Sequence, residues 1–204
     1  MKKQLVYIHG GRAYSKYDVF LEHLRTVPIE DPLGERVVKR WKYSLKEELI
    51  DTHEVYMPSM PNSQNAKYEE WKIWFERYFA FLRDDVVLIG HSQGGYFLLK
   101  YLSENSMPVR VKAVYFLAAP SKPDDFGAED GGDFAPDPEK IPEIPNRAGE
   151  VYILHSKDDP VVSYEHAVHL KEMIPSAELL TFGDKNHFLL ETFPEFIEHI
   201  RTYG

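Results

Sequence analysis

The sequence predicts a three-layer α/β/α domain around a mostly parallel six-stranded sheet. Three observations lead there. Six short apolar runs alternate along the chain with stretches whose apolar residues recur at helical spacing. Helical patterns between strands are the crossovers that a doubly wound parallel sheet needs. The chain is also the right size: 204 residues, 43% of them hydrophobic, suffice for one α/β core and are short for two. A single domain over 1–204 is expected, with no internal repeat, linker or sustained heptad.

The elements follow in order. The first strand is 5–8. A helix comes next, capped by Ser15, with Tyr17, Phe20, Leu21 and Leu24 on one face. A less regular stretch with Pro28, Pro32 and Gly34 leads to a helix over about 37–49. The second strand, 53–57, ends at Pro58. A turn rich in Pro, Asn and Ser precedes a helix over 66–82, with Tyr68, Trp71, Phe75, Tyr78, Phe79 and Leu82 as its stripe. The third strand is 85–89, and the helix over 95–102 is apolar nearly all round, which predicts the deepest burial. Strands at 111–117, 151–155 and 177–182 complete the sheet. A helix between the last two starts near Ser163. The final helix opens on Thr192-Phe193-Pro194-Glu195, read as a capping box with proline in the first turn.

The third strand runs into Gly90-His91-Ser92-Gln93-Gly94. A Gly-x-Ser-x-Gly between an apolar strand and an apolar helix is the pattern of a nucleophile elbow, a sharp turn that lifts a serine hydroxyl clear of the sheet. The glycines stand where strand and helix backbones approach too closely for a Cβ. A serine nucleophile needs a base, and the base needs an orienting acid. Both occur downstream in the order Ser, Asp, His. Asp158 and Asp159 follow the fifth strand, and His187 follows the sixth. All these candidates fall at carboxyl ends of parallel strands, where open α/β sheets build their sites. Asp159 is favoured as the acid, because it lies three residues before Val162, and Asp158 is read as a brace of the loop. After the first strand, His9-Gly10-Gly11-Arg12 offers a backbone N–H to an oxyanion. Gly11 is the expected donor, with Arg12 as the runner-up, and Gln93 N–H is the second. His9 is read as a brace of that turn, His91 as a packing residue and His155 as a hydrogen-bonding group at the sheet edge.

Nearly the whole chain resembles the α/β-hydrolase fold without its first two antiparallel strands. The resemblance implies the strand order 2-1-3-4-5-6, with Ser92 on the central third strand. The segments Met57-Pro58-Ser59-Met60-Pro61-Asn62, Tyr68-Glu69-Glu70-Trp71 and Asp158-Asp159-Pro160 sharpen it. They resemble the small single-domain serine hydrolases related to retinoblastoma-binding protein nine. That implies a nearly lidless serine hydrolase with the triad Ser92, Asp159 and His187. The chain departs from the group's simplest pattern over 12–51 and 121–146.

The expected activity is therefore cleavage of a small ester, thioester or amide, carboxylesterase-like first, through an acyl-enzyme. A peptidase or amidase of the same fold is the alternative within enzymes, and a binding protein on a hydrolase scaffold is the alternative outside them. No cofactor and no metal are expected. His166 and His169 share a helix face at a spacing that could form half a metal site, but are read as solvated. With no cysteine, disulfides and thiol chemistry are excluded. A net charge of −9 disfavours nucleic acid and points to a neutral or cationic small-molecule acyl substrate. No segment has the pattern of a signal peptide or membrane span, so a cytoplasmic location is expected, and the oligomeric state stays open. The loop over 121–140 holds seven acids against two lysines and lacks a calcium-loop motif. It is read as solvated, with Phe126 and Phe134 folding over the pocket mouth, so that 121–148 forms a small flap.

Overall fold

The computed structural model describes every residue except Asp125 and Ala128. Strands β1 (Lys3–Ile8), β2 (His53–Tyr56), β3 (Val86–His91), β4 (Val111–Leu117), β5 (Ala148–Ser156) and β6 (Glu178–Phe182) form one sheet. Its order is β2-β1-β3-β4-β5-β6, and every neighbouring pair is parallel. That is the expected architecture and order.

Period-two alternation sends each strand's side chains to two separate cores. On one face Val6, Ile8, Leu88, Val114, Phe116 and Ile153 pack against helices α3 (Tyr68–Glu76), α4 (Gln93–Glu104) and α6 (Glu165–Met173). On the other, Leu5, Tyr7, Val87, Ile89, Tyr115 and Leu154 meet α2 (Trp41–Glu48) and α7 (Pro194–Tyr203). Strands buried on both faces read as continuous apolar runs, which is why β3 is so plain in the sequence. Trp71 anchors the first core, and its indole N–H donates to Pro61 O at 2.8 Å. Trp41 anchors the second, and its indole N–H donates to Phe188 O at 2.9 Å. Buried indoles carry an N–H that must find an acceptor, so each tryptophan also fixes a loop.

Several boundaries differ from expectation. The helix expected from residue 37 starts at Trp41. The one expected over 66–82 is α3 followed by a 3₁₀ turn, Arg77–Phe81. Helix α1 (Tyr17–Thr26) is not capped by Ser15. Lys16 takes that position without a side-chain bond, while the Ser15 N–H donates to Asp130 Oδ1. Nor does Thr192 form a capping box, because Phe193 is the N-cap residue of α7, and its ring stacks on Phe188 at 5.2 Å. The apolar stripe of α1 buries no residue fully, and Tyr17 and Leu24 are 64% and 52% exposed.

The acidic loop is not a solvated strap. Asp130 accepts the Ser15 and Gly132 N–H groups, and Asp133 accepts the Tyr68 N–H. Its carboxylates thus satisfy backbone donors of its own turn and of the segments at Ser15 and Tyr68. Phe134 does not lie over a pocket mouth. It is fully buried, 5.3 Å from the Trp71 ring centre and within the α3–α4 core. The loop continues into a 3₁₀ turn, Pro138–Glu143, and the short helix α5 (Ile144–Arg147). Asp125, one of its seven acids, lies outside the described residues. Among the described residues no helix is long and apolar enough to cross a membrane.

Candidate active site

Ser92 stands between the end of β3 and the start of α4 with φ 53° and ψ −121°. A non-glycine residue at positive φ is held there against a cost of about 1–3 kcal/mol. Three contacts hold it. The Ser92 N–H donates to Leu117 O at 2.8 Å and the Ser92 carbonyl accepts from Tyr96 N–H at 3.0 Å. The glycines supply the third. A Cβ on Gly90 would strike the Gly94 backbone, and one on Gly94 would strike the carbonyls of Ile8 and His9. Helix α4 thereby lies directly on the ends of β3 and β1, and its first turn abuts the turn after β1.

That turn, 9–12, is fixed on both sides. His9 Nδ1–H donates to Gly10 O at 2.6 Å, and its Nε2 accepts the Met60 N–H at 2.9 Å. Accepting at Nε2 requires the neutral ring, and burial lowers its pKa accordingly. The Arg12 N–H donates to Ser63 O at 2.8 Å, so the runner-up donor already has an acceptor. A Cβ on Gly10 would lie 3.2 Å from Ser92 Cβ and 3.8 Å from its Oγ. Gly10 and Gly11 line a cleft of about 250 Å³ together with Ser92 and His187.

Asp159, not Asp158, meets His187. Asp159 Oδ2 accepts from His187 Nδ1–H at 2.8 Å, while its Oδ1 accepts the Val161 and Val162 N–H groups at 2.8 and 3.0 Å. The carboxylate is fully buried. Burial alone raises such a pKa, but hydrogen bonds to His155, His187 and the Val162 N–H outweigh it and hold Asp159 well below the usual carboxylate range. With Nδ1 carrying the proton, His187 keeps a lone pair on Nε2.

Three further polar residues, Asp158, His155 and His91, brace the loops that carry Asp159 and His187. Asp158 accepts from Ser156 Oγ and from Asn186 N–H, tying the acid loop to the histidine loop. His155 Nε2–H donates to Val162 O at 2.8 Å and lies 3.4 Å from Asp159 Oδ2. It therefore braces the acid loop rather than the sheet edge. His91 is more than packing: its Nε2–H donates to His187 O at 2.9 Å. Burial first, and then the nearby His187, push its pKa down to about 3, so it stays a neutral strut. Asn186 and Phe188, on either side of His187, both have positive φ, 48° and 54°.

His166 and His169 are not on a solvated face. His166 is buried, accepts the Ser121 N–H at Nδ1 and lies 3.1 Å from Asp124 at Nε2. His169 Nδ1 meets Ser121 Oγ at 2.9 Å. Among the described residues no group of three or more His, Asp or Glu side chains is placed to hold a metal ion.

Two charged cleft residues were not anticipated. Glu129, from the acidic loop, lies 3.7 Å from Arg12 Nε and accepts the Ala13 N–H at 3.3 Å. Desolvation pushes its pKa up to about 7 against the opposing pull of Arg12 and the Ala13 N–H. Lys42, in the first turn of α2, lines the cleft as well. Neither sits in a motif. One is among seven acids of a loop and the other among the lysines of an ordinary helix, so only three-dimensional proximity identifies them.

The chain is similar in fold to several solved structures. The ydeN gene product of B. subtilis superposes with a TM-score of 0.73 at 22% identity, over 99% of this chain and 98% of that one. A meta-cleavage product hydrolase from Pseudomonas fluorescens gives 0.69 at 16% identity, over 98% and 90%. The esterase domain of a Rhodothermus marinus protein gives 0.61 at 16% identity, over 98% and 82%. No curated protein matches the sequence. A family model described as serine hydrolase matches residues 33–197, a span that includes Ser92, Asp159 and His187, and on that match the chain belongs to the serine hydrolase family.

Proposed function

We propose that this serine hydrolase cleaves a small ester through an acyl-enzyme on Ser92, with His187 as general base and acid and Asp159 as its orienting partner. The observation that carries the reading is the 2.8 Å bond from His187 Nδ1 to the fully buried Asp159 carboxylate, with His187 and Ser92 lining one cleft. His187 Nε2 takes the Ser92 proton as Oγ forms its bond to the acyl carbon. The same proton goes to the departing alkoxide as the C–O bond breaks. Water then attacks the acyl carbon with its proton passing to His187, and Ser92 recovers a proton as the acid leaves. Asp159 stays ionised and holds the tautomer. The Gly11 and Gln93 N–H groups are the proposed oxyanion donors, each worth about 10²–10³ in rate. Gly11 lines the cleft, and Gln93 opens α4, where the first N–H groups have no intrahelical acceptor. The likeness to an esterase domain favours an ester over an amide.

Labelling by a fluorophosphonate probe tests the reading. The native protein should label, Ser92→Ala should not, and His187→Ala should label far more slowly. A native protein that does not label would replace this reading with that of a binding protein on a hydrolase fold.

A further inference from the structure

The charge of the cleft runs against that of the chain. The chain carries a net −9, yet the cleft is lined by two cations, Arg12 and Lys42, and one largely buried acid, Glu129. Glu129 is engaged by Arg12 and the Ala13 N–H. Among the described residues no carboxylate forms an ion pair with Lys42, which is half-buried and has its Nζ 5.6 Å from the centre of the neighbouring Tyr43 ring. Burial and the Arg40 charge both lower its pKa, and no carboxylate of the described residues offsets either. His9 and His91, which flank Gly10 and Ser92 in the chain, both feel its charge. Lys42 also lines an adjoining pocket of about 240 Å³, whose walls include Tyr7, Met57 and Pro58.

A half-buried ammonium with no paired carboxylate among the described residues, at the junction of a reactive cleft and an apolar pocket, is a place for an anion. Its position on α2 is firm, because the neighbouring Trp41 is buried and bonded to Phe188 O and Leu190 O. We propose that Lys42 binds a substrate carboxylate, so that the ester cleaved at Ser92 belongs to a molecule that keeps a free carboxylate a few atoms from the scissile bond. This rests on Ser92 being the nucleophile. Local charge then decides specificity, and the expectation of a neutral or cationic substrate, drawn from total charge, gives way to a monoanionic one. A charge-assisted hydrogen bond in a partly desolvated cleft is worth about 10–100-fold in binding.

Two ester pairs test it. Mono-4-nitrophenyl adipate against its methyl ester places the carboxylate on the acyl side. 4-Butyryloxybenzoate against its methyl ester places it on the leaving group. The native enzyme should prefer the carboxylate in one pair by at least tenfold in kcat/KM, and that pair identifies the side. Lys42→Met should cut this preference by at least tenfold, chiefly through KM, while Lys42→Arg should keep most of it. Raised salt should shrink the preference in the native enzyme and in Lys42→Arg, but not in Lys42→Met. A preference unchanged in Lys42→Met, or absent from both pairs while Ser92 still labels, overturns the Lys42 proposal alone. No labelling and no cleavage of either methyl ester would overturn the hydrolase reading and this one together.

Discussion

On one side of the cleft, Ser92, Asp159 and His187 stand just past β3, β5 and β6, each held by backbone hydrogen bonds and close-packed turns. On the other side, Arg12, Lys42 and Glu129 come from the segments 12–51 and 121–140, where Arg12 and Glu129 pair at 3.7 Å. The sheet side holds strained backbone at Ser92, Asn186 and Phe188, which only an over-determined surrounding can sustain. The insertion side includes α1, with no fully buried residue, and a run of exposed apolar side chains at Ile29, Leu33 and Val37. Chemistry needs atoms fixed to a fraction of an ångström. Selection among substrates tolerates a long, adaptable lysine.

Changes on the sheet side should therefore be the most damaging. Asp159→Asn keeps the shape of the carboxylate but removes its charge and its hold on the His187 tautomer. We expect kcat on a 4-nitrophenyl ester to fall by about 10³–10⁴; a loss under tenfold would mean that this wall is not what organises the base. Gly94→Ala forces a methyl into the Ile8 and His9 carbonyls. Urea unfolding should show a loss of about 3 kcal/mol, at the upper end for overpacking, and an unaffected midpoint would show that the elbow can relax.

The insertion side should respond gently and with pH. The Glu129 pKa is raised, so its charged form is disfavoured in the fold and the native protein loses stability as pH rises from about 4.5 through about 7. Glu129→Gln is neutral throughout and removes that slope. Its stability relative to the native protein should improve by about 1–3 kcal/mol between pH 5 and pH 8, and a flat difference would place Glu129 in a more solvated setting than its 16% side-chain exposure indicates.

Much of the sheet side was legible beforehand. The glycine at 90 reports a close approach of strand and helix backbones that follow each other in the chain, whereas the one at 94 also admits the Ile8 and His9 carbonyls from the first strand. Likewise the apolar runs of β3 and β4 report burial on both faces. Helices were less legible. The all-round apolar pattern of α4 announced its burial, but the one-sided stripe of α1 suggested a packed face that the structure leaves without a fully buried residue. Phe134, expected over the pocket mouth, and His166, expected on a solvated face, lie elsewhere for the same reason: what covers them, Trp71 and Phe97 in one case and Ser121 and Asp124 in the other, is remote in sequence.

The sequence by itself determined the order of strands and helices, the Gly-flanked turn at Ser92, and the presence of an acid and a histidine after later strands. Each of those is written in local periodicity and backbone sterics, which neighbouring residues set between them. Only the tertiary structure decided that His91 and His155 are struts, that Glu129 enters the cleft, and that Lys42 stands there with no carboxylate of the described residues paired to it. Those are through-space relations between segments tens of residues apart, and charge pairing depends on that distance and on the water excluded between the partners.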